Sequence, residues 1–177
     1  PLAEGHFPAP SGRCEFFGAR LAAQGMDGLP DHVPNHELQG TDARYPLAMI
    51  SPPARNFLNS TFVNVKSLRT IEGRPLLEMH PDDAAARGIA DGSTVRVFND
   101  RGSYECHAEV STRARPGVVN GLGIWWRKLG LNGTNVNEVT SQALTDLGRA
   151  PTFYDCLVEV QTCHAAAGAA TAAEITA

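Results

Sequence analysis

Hydrophobic and polar positions alternate most regularly in the middle of the chain. Val95 and Val97 alternate with Arg96 and Phe98, and Tyr104, Cys106 and Ala108 alternate with Glu105, His107 and Glu109. A period of two is that of a strand with one face toward a core. The intervening Asn99-Asp-Arg-Gly102 has the composition of a turn, so the pair predicts a hairpin. Apolar runs at Tyr45–Ser51, Leu76–Met79 and Cys156–Val160 predict three further strands. Another is predicted at Val118–Asn120, after the turn Arg115-Pro-Gly117. The best-marked helix runs from His80 to Gly88. Pro81 stands at the first helical position, Asp82 and Asp83 face the positive end of the helix dipole, Arg87 faces the negative end, and Gly88 caps. Near-helical spacing also predicts a short helix within Phe57–Leu68, and Arg20–Gln24 predicts a turn or two ending at Gly25. Gly12–Phe17 reads as a short strand. Short strands, long polar crossings and one well-marked helix predict a mainly β chain closed into a barrel.

The first 44 residues are too rich in proline, glycine and histidine for regular structure and read as an irregular connector from a preceding domain. Residues 45–162 form the expected barrel, and 163–177 an alanine-rich flexible tail. A chain of 177 residues buries roughly 70% of its unfolded surface, enough for a core. With 42% hydrophobic and 19% charged residues it is not a disordered chain. A net charge of −4 excludes nucleic-acid binding through phosphates. No apolar run approaches the ~20 residues of a membrane span. No signal-peptide pattern is visible, which leans toward a cytoplasmic placement. The chain nevertheless starts at Pro1, as expected of a piece of a longer protein whose targeting sequence would lie upstream.

Few residues stand out chemically. Cys14, Cys106, Cys156 and Cys163 form no CxxC pair, so neither an iron–sulfur nor a zinc knuckle is encoded. The six histidines are scattered, and Pro34 between His32 and His36 argues against a helical metal site. No GxSxG, HExxH or P-loop is present. Two polar segments carry the candidates. In the first, Ser51 to Thr61, the side chains of Arg55, Asn56, Asn59, Ser60 and Thr61 suit a pyrophosphate. In the second, from Trp125 to Thr140, Asn135, Asn137 and Thr140 offer amides and a hydroxyl without charge, as a heterocycle with many donors and acceptors requires. Both segments also read simply as turns, since asparagine favours them.

The order and spacing of several segments resemble the C-terminal domain of molybdopterin oxidoreductases of the dimethyl sulfoxide reductase superfamily. They are Phe7–Phe17, Pro46–Ser51, Glu78–Val95 with its Gly88-Ile-Ala-Asp-Gly92 box, Asn99–Gly102, Arg115–Val119, Trp125-Trp126, Asn135–Thr140 and Phe153–Val160. The resemblance implies a six-stranded double-psi β-barrel of the aspartate-decarboxylase-like type, with short helices. It implies binding of bis(molybdopterin guanine dinucleotide) carrying molybdenum or tungsten. The Ser51–Thr61 loop would meet pterin and phosphate groups, and Asn137 with Trp125, Tyr154 and Asp155 would line the other face. Ser51-Pro52-Pro53 replaces a common Thr-Gly-Arg, Phe57-Leu58-Asn59 a His-x-His, and Tyr154 a lysine, which points to Arg55 as the phosphate cation.

In such enzymes the protein ligand of the metal lies in an upstream domain, so this segment is expected to bind without catalysing and, alone, to lack the cofactor. Its partners would be the upstream domains of the same polypeptide. The competing reading is a stand-alone barrel that serves protein interaction or substrate recognition. A self-processing decarboxylase would need a cleavage site such as Gly92-Ser93, which the box already explains as a turn.

Overall fold

The structure is a computed structural model, and it describes residues 3–29, 31–34, 36–37 and 44–163. The chain divides into two units, Pro1–Asn35 and His36–Ala177. The first unit holds one short helix, α1 (Ala19–Ala22), and no strand among its described residues. The strand expected over Gly12–Phe17 is instead a run of turns and bends, in which Ser11 N–H donates to the Glu15 carboxylate. Here Gly28 abuts the Phe17 ring, and an added Cβ would lie 2.4 Å from it.

The second unit is built on six strands. They are β1 (Leu47–Ile50), β2 (Leu76–Met79), β3 (Thr94–Asn99), β4 (Gly102–Val110), β5 (Val118–Leu122) and β6 (Leu157–Thr162). Their order, β1-β5-β2-β4-β3-β6, closes into a barrel. Two neighbouring pairs are parallel, β1 with β5 and β2 with β4, and the rest are antiparallel. The hairpin expected around Asn99–Gly102 pairs Val95 with Cys106 and Val97 with Tyr104. All four side chains are buried, as their alternation requires. Leu47, Met49, Leu77, Met79, Val119, Val158 and Val160 complete the interior. Closure leaves no unpaired sheet edge, which suits strands as short as four residues.

The helix expected over His80–Gly88 is α3 (Pro81–Ala85), preceded by α2 (Lys66–Glu72). His80 caps α3, its Nδ1 accepting from Asp82 N–H. Arg87, expected to serve the helix end, also forms an ion pair with Glu159 of β6 at 2.5 Å. The Gly88–Gly92 box then steers the chain into β3: both glycines have positive φ, 62° and 76°, and the Asp91 carboxylate accepts Val110 N–H. The helix expected within Phe57–Leu68 starts only at Lys66. Asn59 and Phe62 take φ of 52° and 74°, which no right-handed helix contains. The tail expected at 163–177 lies, Cys163 apart, outside the described residues. Among the described residues no helix is long and apolar enough to cross a membrane.

Candidate functional site

Because β1 and β5 run parallel, with Ile50 opposite Asn120, both strands end at the same end of the barrel. The crossing that follows β1 and the one that follows β5 therefore start side by side. β6 is antiparallel to β1, with Ala48 opposite Leu157, so the residues leading into β6 arrive at that same end. Three stretches far apart in sequence thus meet over one rim.

Specific contacts bind the two crossings together. Gly123 N–H donates to the Pro52 carbonyl at 2.9 Å. A Cβ on Gly123 would meet the Ala54 Cβ at 2.9 Å, so this close approach requires glycine, as does its φ of 74°. Phe57 and Trp125 stack edge to face at 5.1 Å in a buried cluster with Ala54 and Val63. Trp126 Nε1 donates to the Ser60 carbonyl at 2.7 Å, and within the second crossing Asn135 Nδ2 donates to the Trp125 carbonyl at 2.9 Å.

Between the joined crossings lies an open hollow of about 430 Å³. Ser51 and Asn59 line it from the first crossing, Asn137 and Thr140 from the second, and Tyr154 from the approach to β6. These five expected site residues are brought together, Ser51 and Asn59 on one wall and Asn137 and Thr140 on the other. Gln142, Ser141, Ile124, Pro151 and Phe153 complete the wall. No charged side chain lines it. Amides and hydroxyls that both donate and accept, beside the T-stacked rings of Phe153 and Tyr154, form a donor set suited to a flat polar heterocycle.

The other expected residues do not line this hollow. Asn56 is turned to Glu72, whose Oε1 accepts both its backbone N–H and, at 2.8 Å, its Nδ2. Asn135 caps the 3₁₀ turn Val136–Glu138, accepting Asn137 N–H, and so aims Asn137 rather than lining the space itself. Trp125 is buried in the cluster beneath. Ser60 and Thr61 are exposed, and Thr61 bridges back to Leu58. Arg55 is exposed on a turn. Asp155 lies 3.1 Å from His36 Nδ1.

A second set of residues fixes the crossing from outside the hollow. The Val139 carbonyl, between Asn137 and Thr140, accepts from Asn99 Nδ2 at 2.9 Å, Arg101 Nε at 2.7 Å and Cys156 Sγ at 3.1 Å. Asn99 Nδ2 also reaches the Leu157 carbonyl at 2.9 Å, which ties the crossing to the start of β6. Arg101 holds Glu37 through two nitrogens, at 2.7 and 3.3 Å, and Glu37 in turn accepts Leu157 N–H. Burial works against the Arg101 charge, but the Glu37 carboxylate outweighs it and raises its pKa above the ordinary arginine value. Gly102 allows the approach: a Cβ there would lie 2.9 Å from the Glu138 carbonyl oxygen. From the sequence, Asn99–Gly102 is a turn and a segment of the family resemblance but not a clamp, Phe153 belongs only to the resemblance of the last strand, and Gln142 is not singled out. The turn composition of Asn99-Asp-Arg-Gly102 was already a sufficient explanation, so nothing local marked its side chains as clamps.

Residues 47–157 match the family described as "Molydopterin dinucleotide binding domain". The chain belongs to this family. As a molybdopterin dinucleotide-binding domain it is similar to the probable oxidoreductase YoaE of Bacillus subtilis, at 35% identity over 91% of this chain and 23% of that protein. It is also similar to the dimethyl sulfoxide reductase DmsA of Escherichia coli, at 32% identity over 86% of this chain and 20% of that protein. A putative dimethyl sulfoxide reductase catalytic chain of Halobacterium salinarum is 40% identical over 66% of this chain and 14% of that protein. Acetylene hydratase from Pelobacter acetylenicus shares the fold, with a TM-score of 0.72 over 90% of this chain and 25% of that one, at 18% identity. The domain thus belongs with the dimethyl sulfoxide reductase-type molybdopterin oxidoreductases, and a molybdopterin cofactor is its ligand. It spans less than a quarter of the length of the curated relatives named here.

Proposed function

We propose that the domain serves as the C-terminal cofactor-binding part of a molybdenum or tungsten oxidoreductase, and that the hollow between its crossings holds one heterocycle of bis(molybdopterin guanine dinucleotide). The observation that carries this reading is the convergence of Ser51, Asn59, Asn137, Thr140 and Tyr154 on one uncharged recess. The donor set fits a heterocycle better than a phosphate, because amides can match alternating donors and acceptors on a ring edge and no cation lines the wall. Asn137 and Asn59 would read the edge, Ser51 and Thr140 would supply hydroxyls, and Tyr154 would cover a ring face. Arg55, on the exposed turn after Ser51-Pro52-Pro53, is the cation proposed for the pyrophosphate. When bound, the cofactor supplies the redox chemistry, and these residues hold and orient it. The metal's protein ligand and the substrate-selecting surfaces are assigned to the rest of the polypeptide.

The test is replacement of Asn59 and Asn137 by alanine in the full-length protein, with pterin and molybdenum content measured after purification. Loss of two amide contacts at roughly 1 kcal/mol each weakens retention about tenfold to thirtyfold. Full occupancy in the double variant would remove the hollow from the assignment, and full occupancy in R55A would remove Arg55.

A further inference from the structure

A second recess lies on the other side of the crossing that follows β5. Ile124 faces the hollow, whereas the next residue, Trp125, walls a groove of about 450 Å³ that shares no lining residue with it. Helix α2 forms the opposite wall. Lys66 and Arg69 stand three apart on it, hence on one face, and Arg74 follows just after Gly73. Leu129 and Leu131 complete an apolar floor, and no carboxylate lines the groove.

The groove gathers three cations on one wall without a counter-ion among the described residues. Acidic residues outnumber lysine and arginine by 19 to 15. Arg44, Arg87, Arg101, Arg113 and Arg127 all form ion pairs with carboxylates. Lys66, Arg69 and Arg74 have no carboxylate partner among the described residues, although like charges three apart on a helix disfavour one another. Arg69 is nonetheless held in place, its Nη1 donating to the Val63 carbonyl at 2.8 Å. An apolar side chain lies open beside the cations: Leu131, on the groove floor, is 45% exposed. Unpaired cations, Arg69 held in place among them, rimming exposed apolar surface have the composition of a protein interface, not of a small-anion site.

We propose that this groove docks a carboxylate-bearing, partly apolar segment from the part of the polypeptide outside residues 1–177. Charge complementarity selects the acidic partner, and the much greater length of the relatives supplies a source for it within the same chain. The segment's carboxylates pair with Lys66, Arg69 and Arg74, and its apolar side chains cover Leu129 and Leu131.

The sequence offers a clean probe, because Lys66 and Lys128 are its two lysines. Zero-length carbodiimide coupling of the full-length protein, read by mass spectrometry, is expected to join Lys66 to an aspartate or glutamate outside residues 1–177. Coupling of Lys66 only to carboxylates within these residues, or no coupling, overturns the proposal. In the native full-length protein, acetylation of Lys66 is expected to be slower by about tenfold or more than in denaturant. Equal rates overturn it, as does protection that appears only after the cofactor is loaded, which would assign the groove to an anionic ligand instead. The exposed-site variant R74E is expected to speed Lys66 acetylation severalfold and leave pterin content unchanged. An unchanged acetylation rate overturns the docking, whereas the pterin measurement alone bears on the hollow.

Discussion

Asn99 offers the sharpest check on how the second crossing is held. Its Nδ2 donates to the carbonyls of Val139 and Leu157, both at 2.9 Å, and its Oδ1 accepts Arg101 N–H at 3.0 Å. N99A removes these bonds and a longer contact from Nδ2 to Cys156 Sγ at 3.8 Å. The Val139 carbonyl keeps Arg101 Nε and Cys156 Sγ, and Arg101 N–H lies on an exposed turn where water replaces the lost acceptor. The cost therefore falls mainly on the two bonds from Nδ2, and at about 1 kcal/mol each it is ~2 kcal/mol. That lowers the melting temperature by roughly 4–8 °C for a domain of this size. N99D is closer in shape yet is expected to be worse. It retains the acceptor at Oδ1 but places a carboxylate oxygen where two carbonyl oxygens wait for a donor, leaving a charge facing like dipoles. Urea melts followed by the fluorescence of Trp125 and Trp126 rank the variants. The deficit of N99D relative to N99A should shrink as pH falls, because a protonated carboxyl can donate again. N99D as stable as N99A at neutral pH would show that the Asn99 amide is not acting as a clamp.

Two further outcomes follow from the barrel interior. A Cβ on Gly121 would lie 2.8 Å from Tyr104 Oη and 3.2 Å from Val136 Cγ2, so G121A should cost about 1–3 kcal/mol by overpacking. Y104F, whose lost hydroxyl interacts with two sulfurs, the Met49 thioether at 3.7 Å and the Cys106 thiol, should recover part of that loss in the double variant; strict additivity in denaturant melts would contradict the packing argument. Burial pushes the Cys156 thiol up to about 11, with Arg101 offsetting it only in part, and burial raises Cys106 further in the same direction. Unfolded thiols titrate near pH 8.5, so above that the folded chain holds protons the unfolded chain has lost. The stability tied to Cys156 is thus complete below about pH 8.5 and falls as pH rises toward about 11, by up to ~1.4 kcal/mol per pH unit. C156A should flatten the pH dependence of the urea midpoint across that window, and an unchanged slope would refute the assignment.

What could be read from the residues alone followed locality. The β3–β4 hairpin was legible because Val95, Val97, Tyr104 and Cys106 state their inward direction within a short span, and a two-residue period has one structural reading. The α3 signals were equally local, from Pro81 to Gly88. The helix expected within Phe57–Leu68 was displaced because Phe57 is drawn to Trp125, and the backbone at Asn59 and Phe62 turns left-handed to let it. A near-helical spacing cannot distinguish that from a helix, since both bury Phe57. The clamp on Val139 was invisible for another reason: its acceptor is a backbone carbonyl, identical in every residue, and its donors come from another hairpin.

The convergence itself was legible only through resemblance, and the physical cause is the parallel pairing of Ala48 with Val118. Had β1 and β5 been antiparallel, the crossings after them would leave opposite ends of the barrel, and Ser51 and Asn137 could not share a wall. A domain of net charge −4 repels a phosphorylated ligand, and screening at physiological ionic strength confines electrostatic help to groups within ~8 Å. Neutral amides add no repulsion and lose no charge to desolvation on binding, so they suit the ring edge. The phosphates then need cations near the rim of the hollow, and on this domain the proposed one is Arg55. The three unpaired cations beside α2 belong to a recess with no residue in common with the hollow. On the proposed assignment, most of the countercharge for a dinucleotide comes from the rest of the polypeptide, and tight cofactor retention is then a property of the assembled protein.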